Sequence, residues 1–494
     1  MKLCLIGHGY RYAAEQAMLT FFPSERPEIA DSVPESGAFA EVKLSKGEVW
    51  LTADVKLRYG EKTVSAAART KLPEPSDTLS SDRAGQKVIK LAFYRAFVKL
   101  TGKTPEWGAL TGVRPGKVAA ANLKRGFSEK SEAKRLTREL YVSPERAEMC
   151  VSAAAEGIKI AKGLDKKDVC LYVGIPFCPT RCAYCSFVSQ SIERSMSLIE
   201  PFFAALKSEI SAAAEAAKKA GLRVISVYIG GGTPTTLSPE MLSELISALR
   251  TEFSIPLSCE FTVEAGRPDT VTPEKLAAMK SGGVTRISIN PQTMENAVLR
   301  AIGRRHTAEE TLAAFEAARN AGFNNINTDM IAGLPADTEE GFCRSLEKVL
   351  ALAPENVTVH TLSLKRGSEI TLNATRIPDE NEVRGMLSFA AERLRGAGYR
   401  PYYLYRQKFM SGGFENVGWC LPGTENIYNV CIMEELCTVL ALGGGASTKL
   451  VDAASGRIER VFNAKYPKEY IDSIEKINAG KKRIEDFYSG KETL

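Results

Sequence analysis

Residues 172–187 read YVGIPFCPTRCAYCSF, an apolar and aromatic run that halts at Pro176 and opens onto Cys178, Cys182 and Cys185. A short apolar run closed by proline is a strand signal, so the cysteines fall on the loop beyond a strand's carboxyl end. Three unliganded thiols on one short loop would be prone to oxidation, which favours a metal centre. A structural zinc site is normally closed by four protein ligands. The other cysteine nearby, Cys170, lies within the strand, and its side chain would have to leave the sheet to reach the loop. Three thiolates would therefore hold a metal and leave one coordination position open.

The same strand-then-loop pattern recurs downstream. β-branched runs at 169–175, 224–229, 259–264, 285–290, 326–331 and 357–363 alternate with amphipathic stretches such as 241–250, 307–321 and 338–352. Such alternation predicts six parallel strands with functional groups gathered at their carboxyl ends. Gly230–Thr235 (GGGTPT) follows the second strand, and its missing Cβ atoms would let a ligand approach the backbone. Glu264 ends the third strand, where a carboxylate would accept two hydroxyl groups. Gln292 follows the fourth strand, Arg304 lies in LRAIGRRHT, and Asp329 stands in the fifth.

Upstream, 39–44 and 48–57 alternate around the turn 45–47 as an antiparallel pair, and 63–69 adds a third strand. Val88, Leu91, Ala92, Ala96 and Leu100 recur at helical spacing, and the alanine-rich stretch 151–160 reads as helix. Residues 1–165 are thus expected to form an α+β domain, 166–400 the βα domain, and 401–494, rich in glycine and aromatics, a small cap. The chain's 494 residues agree with three domains at roughly 150 residues each. Its 65 Lys+Arg against 59 Asp+Glu leave +6, too little for the basic field of a nucleic-acid binder. The amino-terminal apolar run ends at His8, and no apolar stretch nears the ~20 residues of a membrane span, so a cytoplasmic protein is expected. Eleven cysteines without an export signal point to metal chemistry rather than disulfides. Cys4, Cys150, Cys259, Cys343, Cys420, Cys431 and Cys437 show no ligand spacing.

Cys-x3-Cys-x2-Cys after the strand that opens a parallel βα domain resembles the signature of the radical S-adenosylmethionine (SAM) enzymes. The resemblance implies a partial parallel (β/α)6 barrel. It also implies a 4Fe-4S cluster held at three irons by Cys178, Cys182 and Cys185, with SAM chelating the fourth iron and being cleaved to a 5′-deoxyadenosyl radical. The order of the later residues resembles the oxygen-independent coproporphyrinogen III oxidases (dehydrogenases). WGALTGVRPGK at 107–117 and the segment 415–449, ending in GGGASTK, point to the longer branch with an extra amino-terminal domain. By this resemblance Tyr172, Gly231, Gly232, Thr233, Glu264, Gln292, Arg304 and Asp329 would contact SAM, and Tyr184 would lie beside the cluster. The implied reaction is oxidative decarboxylation of two propionates of a tetrapyrrole, with Lys365 and Arg366 as carboxylate partners and a flavodoxin or ferredoxin as electron donor. Phe187 stands where established decarboxylases carry a further cysteine, as it does in the related haem-chaperone branch. HTLSLKRGSE at 360–369 departs from those enzymes where a second SAM would bind. A haem carrier and an anaerobic haem-modifying enzyme share nearly all of these motifs.

Overall fold

The structure, a computed structural model, describes residues 1–72, 78–185, 189–363, 376–407, 413–452 and 455–490. The chain divides into two compact units, Met1–Val151 with Arg406–Phe414, and Ser152–Tyr405 with Glu415–Leu494.

The first unit holds a five-stranded sheet in the order Glu28–Ile29, Lys2–Ile6, Phe39–Lys46, Trp50–Tyr59, Lys62–Lys71. The last three strands pair antiparallel, as their alternation predicts, and helix Thr78–Thr101 packs on them. Leu51, Ala53, Val55 and Leu57 turn to the buried face, while Asp54 and Lys56 face outward. The hairpin turn falls at 47–49 rather than 45–47. Lys2–Ile6 pairs parallel to Phe39–Lys46 after crossing over through helix Arg11–Phe21, a strand that periodicity missed because its apolar run, 3–6, is only four residues long.

The second unit is built on one sheet. Its strands are β1 (Asp168–Ile175), β2 (Arg223–Gly231), β3 (Glu260–Glu264), β4 (Arg286–Ser288), β5 (Ile326–Ala332), β6 (Asn356–Thr361), β7 (Arg400–Tyr405), β8 (Asn416–Cys420), β9 (Thr438–Gly443), β10 (Ser447–Asp452) and β11 (Arg457–Phe462). Their order across the sheet is β7-β8-β6-β5-β4-β3-β2-β1-β9-β10-β11. All six expected parallel strands are present, and β9 extends the parallel run by pairing with β1. The edge strands β7 and β11 do not pair with each other among the described residues, so the barrel is partial. Strands from 401–494, the segment expected as a cap, add to this sheet at both ends. The run TVLALG of β9 is buried throughout, as a parallel strand covered on both faces should be, but no βα alternation marks it in the sequence.

Helices α1 (Ile199–Lys219), α2 (Pro239–Glu252), α3 (Pro273–Ser281), α4 (Ala308–Asn320) and α5 (Glu339–Ala351) connect β1 to β6. On α1, Phe202, Leu206, Ile210, Ala213 and Ala217 recur on one buried face. Caps fix the helix starts. Ser238 accepts from the Met241 N–H, Thr338 accepts from the Gly341 N–H, and Thr307 with Glu310 forms a capping box. Each cap contributes about 1 kcal/mol. α6 (Glu380–Gly396) and α7 (Ile427–Glu434) follow β6 and β8. Among the described residues no helix is long and apolar enough to cross a membrane.

Candidate active site

β1 runs out at Ile175 at the carboxyl end of the sheet; Cys178 follows on a short strand, Phe177–Cys178, that pairs with Gln190–Ser191, and Cys182 and Cys185 lie on the loop beyond it. Cys178, Cys182 and Cys185 are half-exposed, whereas seven of the eight other cysteines are buried. The ends of three neighbouring strands hold the loop. After β2, the Gly232 N–H donates to the Ile175 carbonyl and the Thr233 N–H to the Phe177 carbonyl, both at 2.7 Å, while Thr233 Oγ1 donates to Cys178 Sγ at 3.5 Å. After β3, Arg267 Nη1 donates to Thr180 Oγ1 at 3.0 Å and to Cys182 Sγ at 3.9 Å. After β4, the Ile302 carbonyl accepts from the Ala183 N–H at 3.1 Å and the Gly303 carbonyl from Thr180 Oγ1 at 3.2 Å.

Glycine is required where the loop meets β2. Gly231 has φ +107°, and a Cβ on Gly232 would stand 2.4 Å from the Phe177 carbonyl oxygen. Burial raises the Cys178 thiol above its ordinary value, against the hydrogen bond from Thr233. Arg304 lies buried beside Cys182 and Tyr184; burial opposes its charge, but these two neighbours hold the guanidinium firmly protonated. Its Nη1 donates to the Asn290 carbonyl at 2.5 Å. Tyr184 packs against the buried cluster that includes Val298, Leu299, Ile302 and Ile331.

Further into the sheet, Tyr172 on β1 is in register with Tyr228 on β2, their rings stacked at 6.4 Å, and Tyr428 stacks on both. Tyr228 donates to Glu264 Oε1 at 2.5 Å. Burial pushes the Glu264 carboxyl up to about 7, against the bond from Tyr228 and with the nearby Asp329 charge adding to the rise. Burial also opposes ionisation of Asp329, but His360 at 3.5 Å and Asn327 at 2.9 Å outweigh it and hold this carboxyl below its ordinary range. Gln292 sits at φ +72°, bonded through its backbone to Asp329 and Ile331, and its buried Oε1 has no partner among the described residues.

The structure thus gathers Cys178 with Thr233, Cys182 with Tyr184 and Arg304, and sets Glu264 within electrostatic reach of Tyr172 and Asp329. Sequence reasoning did not single out Arg267, Tyr228 or His360. Arg267 carried a signal, a cation three residues beyond Glu264. Phe187, Lys365 and Arg366 lie outside the described residues. Cys431 and Cys437, which show no ligand spacing in the sequence, meet Cys170 in a separate buried cluster because the fold pairs β9 with β1.

Residues 172–349 match the radical SAM superfamily. The chain is 41% identical over 380 residues, 76% of each protein, to the oxygen-independent coproporphyrinogen-III oxidase-like protein HemZ of Bacillus subtilis strain 168. It is 28% identical over 312 residues, 62% of this chain and 74% of the relative, to the heme chaperone HemW of Mycobacterium tuberculosis strain H37Rv. The solved structure of Escherichia coli coproporphyrinogen III oxidase (HemN), a radical SAM enzyme, matches with a TM-score of 0.53 at 23% identity, covering 65% of this chain and 72% of that one. That last likeness is one of fold.

Proposed function

Because the chain belongs to the radical SAM superfamily, and within it to the family of oxygen-independent coproporphyrinogen-III oxidase-like proteins, we propose that it is a coproporphyrinogen III dehydrogenase. It would convert two propionates of coproporphyrinogen III to vinyl groups, giving protoporphyrinogen IX. Each propionate loses carbon dioxide, one hydrogen atom, to be taken up in the SAM chemistry, and one electron, to be passed to a separate one-electron acceptor. The observation that carries this reading is the cysteine loop fastened by residues that follow β2, β3 and β4, at the carboxyl end of the sheet whose strands carry Glu264 and Asp329.

The residues fit the family's cofactors. Soft thiolates suit an iron–sulfur cluster, and Cys178, Cys182 and Cys185 would hold it. The unpartnered buried Gln292 Oε1 and Arg304 Nε suit a polar ligand, and Gly231 and Gly232 let the cysteine loop pack closely on the end of β2. Tyr172, Thr233, Glu264 and Asp329 would complete the SAM site. Bound there, the cluster and SAM supply reductive cleavage and hydrogen-atom abstraction, with the electron drawn from a flavodoxin or ferredoxin in the cytoplasm. The protein's part is to bind, orient and shield. Arg267 and Arg304, both beside Cys182, offset the charge of the thiolates. His360 keeps Asp329 an anionic acceptor.

Glu264→Gln separates binding from stability. A carboxylate accepting two hydroxyl groups gives way to an amide with one acceptor oxygen, so SAM affinity should fall by about 1–3 kcal/mol, read by equilibrium binding. The Glu264 carboxyl titrates at about 7 folded against an ordinary 4.5. The folded state therefore binds the extra proton in that window, and this carboxyl's contribution to stability falls as pH rises from 4.5 to 7. Glu264→Gln removes the penalty, so the cofactor-free variant should melt above the parent at pH 8 and lose that advantage at pH 4.5. Unchanged SAM affinity would remove Glu264 from the site.

One observation favours a second reading, a haem carrier: the 28% identity to HemW over 74% of its length. Anaerobic incubation of reconstituted protein with SAM, a reductant and coproporphyrinogen III separates the two. The dehydrogenase forms about one carbon dioxide and one deoxyadenosine per vinyl group made. A carrier binds haem stably, and any SAM cleavage is uncoupled from loss of carboxylate.

A further inference from the structure

We propose that Cys170, Cys431 and Cys437 form a second metal site, separate from the loop cysteines, which takes one soft d10 ion, cuprous or zinc, through three sulfurs. The three come from distant parts of the chain. Cys170 lies on β1, Cys431 on α7, and Cys437 immediately before β9. α7 ends at Glu434, and Glu435 at φ 55° turns the chain back, so that Cys437 returns towards Cys431. The pairing of Val439 with Cys170 then sets Cys437 against β1.

All three sulfurs lie within 4.8 Å of one another, and Cys170 and Cys437 are 3.7 Å apart. Such a triangle leaves about 2.8 Å or less from each sulfur to its centre, close to the ~2.3 Å of a zinc–thiolate bond. That is room for one ion and too little for a four-iron cluster. Among the described residues no other His, Cys, Asp or Glu group converges in this way.

The surroundings select the metal class. The cluster packs among Tyr428, Val439, Ile160, Leu164 and Ile225; the carboxylates of Glu260 and Asp168 lie nearby, but the converging donor atoms are the three sulfurs alone. Thiolates favour soft ions. Three sulfurs satisfy a cuprous ion outright, whereas zinc would keep a fourth position for a water. Each sulfur that binds as thiolate releases its proton to solvent. Zinc replacing two thiol protons leaves the apolar pocket neutral. An ion here would join β9, the latest parallel strand in the sequence, to β1, the first, two residues before Tyr172.

The test uses the full chain carrying Cys178→Ser, Cys182→Ser and Cys185→Ser, so that the loop cannot take the probe. This protein is titrated anaerobically with cuprous ion against a chromophoric chelator, and in a second arm with zinc. One equivalent of at least one ion should be retained, with three sulfur neighbours by X-ray absorption. Adding Cys431→Ala should weaken retention by more than the roughly 10–100-fold typical of losing an outer-shell partner. Adding Cys259→Ala, a buried cysteine elsewhere in the unit, should leave it unchanged. Should Cys431→Ala fail to fold by circular dichroism, Cys437→Ala takes its place. The proposal is overturned if neither ion is retained, if retention survives loss of a triad cysteine, or if two of the three sulfurs are found as a disulfide in the purified protein.

Discussion

Replacing Cys178 with alanine is expected to give a folded protein that retains little cluster iron after reconstitution and cleaves SAM only at background. In the proposed site three thiolates would hold three irons, and removing one would leave an iron that neither the protein nor SAM ligates. The fold should survive because backbone bonds shape the loop, from Thr233 to Phe177 and from Ala183 to Ile302, and the sulfur takes no part in them. The bonds that Thr233 Oγ1, at 3.5 Å, and the Ser189 side chain make to the sulfur lose their acceptor. Cys182→Ala and Cys185→Ala should behave alike, whereas Cys259→Ala, buried beneath the sheet's outer helices, should leave iron content unchanged. Iron, sulfide and deoxyadenosine are the quantities to measure. A near-complete cluster in the protein lacking all three loop cysteines would show that other residues hold it.

Glu209→Ala should lower the unfolding free energy by about 3–5 kcal/mol, the range for breaking a buried ion pair. Glu209 lies on α1, fully buried, and its carboxylate accepts from Tyr470 Oη at 2.5 Å, Asn463 Nδ2 at 2.7 Å, the Gly443 N–H at 2.8 Å and the ammonium of Lys481. One carboxylate thus fastens the carboxyl-terminal helices and the end of β9 to the barrel. Without it, Lys481, only 5% exposed, becomes a buried charge with no counterion, and Tyr470 loses its acceptor. Adding Lys481→Met should recover a large part of the loss, because the orphaned cation goes with it. Chemical unfolding of parent, single and double variants reads both effects. A single-variant loss under about 1 kcal/mol, the size of an exposed pair, would mean that water reaches this site.

The barrel strands could be read from the sequence because each is a β-branched run closed by a turn and followed by an amphipathic helix, and after β2, β3, β5 and β6 a side chain caps that helix. At Thr307-x-x-Glu310 even the helix start is written as a capping box. β9 has an equally apolar run, but no helix follows it, and its partner is the first barrel strand, more than 260 residues earlier. The site divides in the same way. Cysteine spacing and the order of strand-end residues are local information, so the loop, Glu264 and Asp329 were legible. Tyr228 matters only because register sets it against Tyr172 and turns its hydroxyl to Glu264. His360 matters only because β6 lies beside β5, so that its ring reaches Asp329. Cys170, Cys431 and Cys437 carry no shared spacing at all, and only the closure of β9 onto β1 brings them together.

The most direct test of the central claim follows a hydrogen atom. Reconstituted protein is turned over anaerobically with SAM and coproporphyrinogen III deuterated at the β carbons of its propionates, and the deoxyadenosine is analysed by mass spectrometry. The dehydrogenase predicts deoxyadenosine carrying one deuterium, formed together with vinyl products and carbon dioxide. Deoxyadenosine free of deuterium, with the substrate recovered intact and haem bound tightly by the same preparation, would contradict it.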